Sequence, residues 1–442
     1  MMKRRLLVLA LVLVLAACQK GFLDTKPDRS LLIPTTLADR QDLLDNIAVF
    51  NISPALTGIA DGDFYTSEAG WRAWATDAER NSYTWAADIF GTGISYDWQL
   101  AYRQVFYANV ALDGLEALAG QPGYNTVKGT ALFSRAFANY NLLQEFSLPY
   151  RAGSAAADPG IVIRLTADVS VRPDRSSVEA GYQQVIADLQ AARPLLPSSA
   201  AASSRPVTAA AFALLSRVYL VLGDYTHAGL YADSCLQLRS GLIDYNTLST
   251  TATRPFPRAV PTGHAEMIYY ASASSYSYAS SAATLADTLL YRSYAPNDLR
   301  KQIFFKASGS SGTFKGNYAG IIALFSGIAV DEMYLNRAEA AARQGQTAAA
   351  LNDLNTLLVK RWKTGTYVPL TAAGPDEALV LVLTERRKEL IGRNLRWADL
   401  RRLGGPALTR PLGGQTYTLA PGSPRYAYPI PVEETGLVPN ER

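Results

Sequence analysis

Residues 71–85, WRAWATDAERNSYTW, set Trp71, Trp74, Arg80, Asn81, Tyr83 and Trp85 close together along the chain. That mixture suits carbohydrate. The C–H faces of a sugar ring are apolar and stack on indole or phenol rings, while its hydroxyls meet amide and guanidinium groups. One Trp face covering about 100 Å² of sugar contributes at most about 2.5 kcal/mol, before the costs of ordering and desolvation. A few such platforms give modest affinity, which suits capture and handover. A second group, Tyr276, Tyr278, Tyr291 and Tyr294, lies in another aromatic-rich stretch. The expectation is that rings from these two groups, Trp74 and Trp85 foremost, touch ligand. The competing outcome for each ring is burial in the core.

Other chemistries find less support. Glycoside hydrolysis needs two carboxyl groups roughly 5–9.5 Å apart, and Asp61, Asp63 and Glu68 are the acids near the first aromatic group. As loop acids they read as solvated. Glu385 and Glu389, one helical turn apart in ERRKEL, read as a salt-bridged helix face with Trp397 packed beneath. The chain has 2 histidines. His227 directly follows the Gly223 turn and His264 sits in a loop beside Glu266; with no Gly-x-Ser-x-Gly elbow and no HExxH, both read as structural or surface groups. GSSGTFKG, residues 309–316, fails the spacing of a phosphate-binding loop and reads as a flexible loop. The expectation is therefore no catalytic residue, no metal and no cofactor.

The N-terminus bears on location. MMKRR is a positive n-region and LLVLALVLVLAA a short apolar run, well below the roughly 20 residues of a membrane span. Leu15-Ala16-Ala17-Cys18 resembles a bacterial lipobox, so residues 1–17 read as a lipoprotein signal peptide and Cys18 as the lipidation site, where several acyl chains make a stable anchor. Of 2 cysteines only Cys235 is then left, within the helical pattern AGLYADSCLQL, as a small core residue. No disulfide framework or thiolate metal site can be built from it. Three of the 42 basic residues (Lys3, Arg4, Arg5) belong to the leader, leaving 39 against 38 acidic ones, a charge of about +1. Without a basic stripe, nucleic acid is not an expected partner. With 48% hydrophobic and 18% charged residues, the chain is a folded one.

The elements that must position these groups are mostly helical. Residues 18–36 read as an extended tether, 37–50 as a helix, 51–96 as loop-rich and 97–118 as a strong amphipathic helix. ALFSRAF (131–137) and ALLSRVY (213–219) are near copies, echoed by YLNRAEA (334–340). Aligned on Gly223 and Gly345, an alanine recurs five residues on (Ala228, Ala350), then apolar pairs (Cys235 and Leu236; Leu357 and Leu358). This is the helix, glycine turn, helix logic of tetratricopeptide-like pairs, here a scaffold too scattered in sequence for a regular solenoid. Ser177 is a plausible N-cap for a helix from 178, and Pro197 follows its end. Residues 147–175, 240–329 and 404–442 read as loop-rich insertions.

Several segments together resemble the SusD/RagB family, the surface lipoproteins of Bacteroidetes nutrient-uptake systems. They are Cys18 with FLDTKP, the Trp98 to Leu118 helix with ANVALDGL, RSSVEAGYQQVIADLQAARPLLP, ALLSRVYLVLGDYTHAGLYAD, YLNRAEAAARQGQTAAALNDLN, ERRKELIGRNLRWADLRR and YAYPIPVEE. They follow the family's order from end to end. The chain departs at Arg393-Asn394, where the family typically has Glu-Gly, and in its short tail after PIP. Asn394 can still adopt a left-handed turn, but Arg393 should alter the local ion pairing. The resemblance implies a mainly α SusD-like fold with a helical region over 37–239 carrying the aromatic insertion, and a SusD/RagB-type region over 240–442 packed into the same body. It also implies non-enzymatic binding of oligosaccharide or peptide and delivery to a SusC-like TonB-dependent transporter, from a lipid-anchored position on the cell-surface side of the outer membrane. The alternatives are a surface glycoside hydrolase or esterase, and a structural interaction lipoprotein with no ligand of its own.

Overall fold

Short polar signals decide where helices begin and end, and the computed structural model, which describes residues 34–91 and 93–431, shows them at work. The signal peptide, Cys18 and FLDTKP lie outside the described residues. Thr36 and Asp39 form a capping box that opens α1 (Leu37–Leu44). Asp45 ends α1, and Asn46 starts a separate turn at Ile47–Phe50 by accepting from the Ala48 amide at 3.1 Å. The single helix expected over 37–50 is therefore two. A second capping box, Thr76 with Glu79, opens α2 (Asp77–Tyr83) inside the stretch expected to be loop. The amphipathic helix α3 (Tyr96–Leu112) stops short of 118, because Gly114 turns left-handed (φ +62°) into a tight 3₁₀ turn at Leu115–Leu118.

The scaffold follows as α4 (Tyr124–Phe146), α5 (Val178–Ala192), α6 (Thr208–Leu222), α7 (Tyr225–Leu238), α8 (Val330–Arg343), α9 (Thr347–Leu358), α10 (Pro375–Glu389) and α11 (Arg396–Leu403). From α3 to α10 each helix packs on the next along the chain, even though 239–329 separates α7 from α8. Gly223 and Gly345 both turn at φ +75°, and Ser177 caps α5 by accepting from the Ala180 amide at 3.1 Å. Ala228, Cys235, Leu236, Ala350, Leu357 and Leu358 are all buried, so the aligned repeat positions are the inter-helix core. Burial pushes the Cys235 thiol up to about 12.

The repeat also carries a polar device. Arg135, Arg217 and Arg337 occupy the same position in the three copies, and each forks onto a carboxylate of a neighbouring helix. The partners are Asp188 at 2.8 and 2.7 Å, Glu332 at 2.7 and 2.6 Å, and Asp353 at 2.8 and 2.7 Å. One residue earlier, Asn336 donates to Ser216 Oγ at 3.1 Å, joining α8 to α6. Bidentate pairs of this kind fix helix register as well as contributing energy.

The insertions fold against a second core that includes Phe64, Trp74, Tyr83, Tyr278, Phe304 and Phe305. They are less irregular than expected. Short strands β1 (Phe64–Tyr65) and β2 (Leu285–Ala286) pair antiparallel. β3 (Phe305–Ser308) and β4 (Ser311–Phe314) form a hairpin across the segment expected to be a flexible loop. β5 (Leu408–Leu412) and β6 (Gln415–Leu419) form another across Gly413-Gly414. Glu385 and Glu389 are salt-bridged as expected, but within the interior rather than on the surface. Fully buried Arg300 binds Asp298, Glu385 and Glu389 at 2.7, 2.5 and 3.0 Å, and Arg361 joins Glu389 to Glu266 at 2.7 and 2.8 Å. This mutual pairing offsets the cost of burying the charges and ties α10 to the insertion. Trp397 is buried, against Tyr426 and Tyr428. From Thr36 on, the described residues form one compact unit, mainly α-helical.

Candidate functional site

Most of the aromatics singled out from sequence are core. Trp85 is 1% exposed; its indole N–H donates to the Ala60 carbonyl at 3.0 Å, and the Arg410 guanidinium lies 4.6 Å from its ring. Arg410 also covers Tyr83 at 3.9 Å, and burial brings its own pKa down to about 10. Trp74, Tyr83, Tyr278 and Tyr294 are each 2% exposed. Trp74 meets Tyr83 and Tyr278 edge-on at 5.1 and 6.4 Å, and Tyr294 donates to the Lys388 carbonyl at 2.7 Å. A ring enclosed in this way has no face for a sugar to cover, so Trp85, Trp74, Tyr83 and Tyr294 are corrected to packing, while Tyr278 is a core ring that reaches the lining of a cleft.

The polar members of the first group are engaged locally. Asn81 donates to the Ile89 carbonyl at 3.1 Å, and Arg80 donates to Trp74 O and pairs with Asp77. Trp71 is half-buried and donates to the Arg80 carbonyl at 3.0 Å. Tyr276 is half-buried and stacks on Tyr278 at 6.3 Å, and Tyr291 lies under Lys301 at 4.8 Å.

A cleft of about 720 Å³ opens where Phe64 meets the insertion over 240–329. β1 contributes Phe64, the segment 278–284 contributes Tyr278 and Thr284, and the β3–β4 hairpin contributes Lys306, Thr313 and Phe314. Lys315, Asn317, Ile322 and Arg254 complete the walls. Register pairs Lys306 with Thr313 across the hairpin, and Gly309 at φ +58° supplies the left-handed residue that its two-residue turn needs. Ser311 Oγ donates to the Ala286 carbonyl at 2.5 Å, joining the hairpin to β2. The Lys315 ammonium donates to the carbonyls of Thr250 and Ala252 at 2.7 and 3.0 Å, holding the loop that carries Arg254; burial keeps its pKa below the usual lysine range.

Phe314 is the half-buried ring of this cleft. Phe64, Phe305 and Phe304 support it at 5.9, 6.1 and 6.3 Å. Gly392 (φ +69°) comes so close that an added Cβ would lie 2.7 Å from the Phe314 Cε1. Tyr278 lines the cleft, and Trp74 packs edge-on against that ring at 6.4 Å. Two polar atoms of the lining have no protein partner: Thr284 Oγ1, and Asn317 Oδ1, whose amide N–H is fixed on the Ile322 carbonyl at 2.7 Å.

The candidate acids and histidines are placed otherwise. Asp63 pairs with Arg387 at 2.9 Å and Glu68 with Arg72 at 2.6 Å. Asp61 is buried, and burial followed by the Asp63 charge pushes its carboxyl well above the usual range. None of the three lines the cleft. His227 sits exposed on Asp224 at 2.6 Å, and His264 donates from Nε2 to the Tyr318 carbonyl at 3.0 Å, with burial holding it down at about 4. The Arg393-Asn394 departure is accommodated as expected. Asn394 turns at φ +58° and donates to the Pro54 carbonyl at 2.8 Å, while Arg393 pairs with Asp331 at 3.0 Å over the rings of Tyr318 and Phe325. Among the described residues no group of three or more His, Cys, Asp or Glu side chains is placed to hold a metal, and no helix is long and apolar enough to cross a membrane.

A row of stacked helical pairs whose insertions wall a cleft is the architecture of a known class. A SusD-like family model described as "Starch-binding associating with outer membrane" matches residues 21–220, and the SusD family model matches 331–436. The chain belongs to the SusD/RagB family. A SusD superfamily protein from Bacteroides fragilis is 20% identical, with 92% of this chain and 99% of that one covered and a TM-score of 0.74. A putative sugar binding protein from Bacteroides vulgatus is 23% identical, with 93% and 98% covered and a TM-score of 0.73. SusD-like protein P2 of Formosa agariphila is 31% identical over 152 residues, 34% of this chain and 28% of that protein, so the match spans little more than a quarter of that relative.

Proposed function

We propose that this protein captures oligosaccharide at the cell surface, anchored through Cys18 in the outer membrane, and passes it unchanged to a SusC-like TonB-dependent transporter. The observation that carries this reading is the cleft itself. It combines a supported aromatic ring at Phe314 with the polar side chains of Thr313, Asn317, Lys306 and Arg254 in one lining, the pairing of apolar face and hydrogen-bonding groups that a sugar requires. No Asp or Glu lines it, so it lacks the paired carboxylates that glycoside hydrolysis uses. The starch-binding, outer-membrane description of the matching model and the sugar-binding title of the Bacteroides vulgatus neighbour point the same way.

The test is purification of the native protein from detergent-solubilised outer membranes, followed by titration with a glycan panel. Co-purification with a large barrel and calorimetric binding of at least one glycan, without new reducing ends, is the expected result. Release of new reducing ends that stops with Asp61→Asn or Asp63→Asn would overturn it in favour of a hydrolase.

A further inference from the structure

The cleft has a charge that the protein as a whole does not. Arg254, Lys306 and Lys315 line it, and no acidic residue does, in a chain whose charge beyond the leader is about +1. Buried and half-buried arginines of the scaffold are neutralised close by: Arg135, Arg217, Arg300, Arg337, Arg361 and Arg393 all sit on carboxylates. Arg254 and Lys306 are exposed, and among the described residues neither forms an ion pair or a side-chain hydrogen bond. The structure holds them on fixed walls. Lys306 stands on a paired strand of the β3–β4 hairpin, and the Arg254 loop is pinned by the two carbonyls that Lys315 grips. The Phe314 ring, Thr313 and Asn317 line the same cleft.

Resting on the carbohydrate reading above, we propose that the cleft selects an acidic oligosaccharide, one bearing carboxylate or sulfate ester groups. A sugar ring lies on Phe314, its hydroxyls meet Asn317 and Thr313, and its anionic substituents face Arg254 and Lys306. Two unpaired cations on one wall set favour an anion by charge-assisted hydrogen bonds, and these are the contacts that salt screens. A neutral glucan would leave both cations without a counter-charge in the bound state.

The test titrates the full mature protein with matched pairs of oligosaccharides. One pair is oligogalacturonate against its methyl ester, which keeps the backbone and removes the carboxylate charge. The other is a sulfated galactan oligosaccharide against its desulfated form. The expected result is that at least one acidic member binds about tenfold tighter than its neutral twin, and that the affinity falls between about 0.05 M and about 0.5 M NaCl. Whichever pair shows the difference identifies carboxylate or sulfate as the recognised group. The double variant Arg254→Gln, Lys306→Gln should weaken that acidic ligand about tenfold with an unchanged unfolding midpoint. Arg172→Gln, an exposed arginine outside the cleft, should leave it unaltered. Equal binding of charged and neutral twins, or full affinity in the double variant, overturns the charge selection and leaves carbohydrate binding standing. Binding of no glycan, in either charge state, overturns both.

Discussion

Trp85→Ala separates a core role from a ligand role at the residue whose neighbourhood first suggested carbohydrate. Truncating a fully buried tryptophan costs about 3–5 kcal/mol in lost burial and residual cavity. The Ala60 carbonyl loses its donor, worth about 1 kcal/mol, and Arg410 loses one of the two rings it covers, about another 1 kcal/mol. The backbone at φ +54° gives no relief, because alanine is strained there as well. The total, about 5–7 kcal/mol, is a large part of the roughly 5–15 kcal/mol that holds a typical domain folded. Trp85→Phe is the gentler partner. It keeps a ring beside Arg410 and loses the indole donor and part of the volume, for about 1–2 kcal/mol. Urea unfolding followed by helical circular dichroism should show the midpoint falling in that order, with glycan affinity of the folded Phe variant unchanged within about twofold. An unchanged midpoint with affinity reduced tenfold would refute the burial argument and restore Trp85 to the ligand.

Two further outcomes follow from the same geometry. Gly392→Ala should displace Phe314, lowering stability by about 1–2 kcal/mol and weakening glycan binding more than Trp85→Phe does, since its added Cβ meets the cleft ring directly; calorimetric titration checks it. His264, held at about 4 when folded against about 6.5 when unfolded, makes stability fall as the pH falls. Below about 6.5 the unfolded chain takes up a proton that the folded one refuses until about 4, so stability rises with pH across that window. Up to about 3 kcal/mol is lost on the way down, and His264→Gln should flatten that limb of a pH series of urea midpoints.

The helical scaffold was legible because its signals are local and periodic. The Ala228 and Ala350 echo, the Gly223 and Gly345 turns and the Ser177 cap are short-range features, and their places in the structure match their spacing. Capping residues inside a run override periodicity, so Asp45-Asn46 and Gly114 break helices that the apolar spacing alone extends. The β5–β6 hairpin carried an overlooked signal, a Gly-Gly pair between two strand-like runs. The site was harder for a physical reason. Ring content does not reveal which face is covered, and Trp85, Trp74 and Tyr83 are covered by Arg410, Tyr278 and one another. The cleft joins positions from 64 to 324 that only tertiary packing brings together. Its one legible fragment, GSSGTFKG, fails the spacing of a phosphate loop, yet it supplies Thr313, Phe314 and Lys315.

The most direct test of the central claim is a crystal structure of the protein with the oligosaccharide that titration selects. Sugar density over Phe314, with a hydroxyl on Asn317 and substituents toward Lys306 and Arg254, is the predicted result. Density stacked instead on Trp71, or on a Trp85 swung out of the core, with the cleft empty, would contradict it.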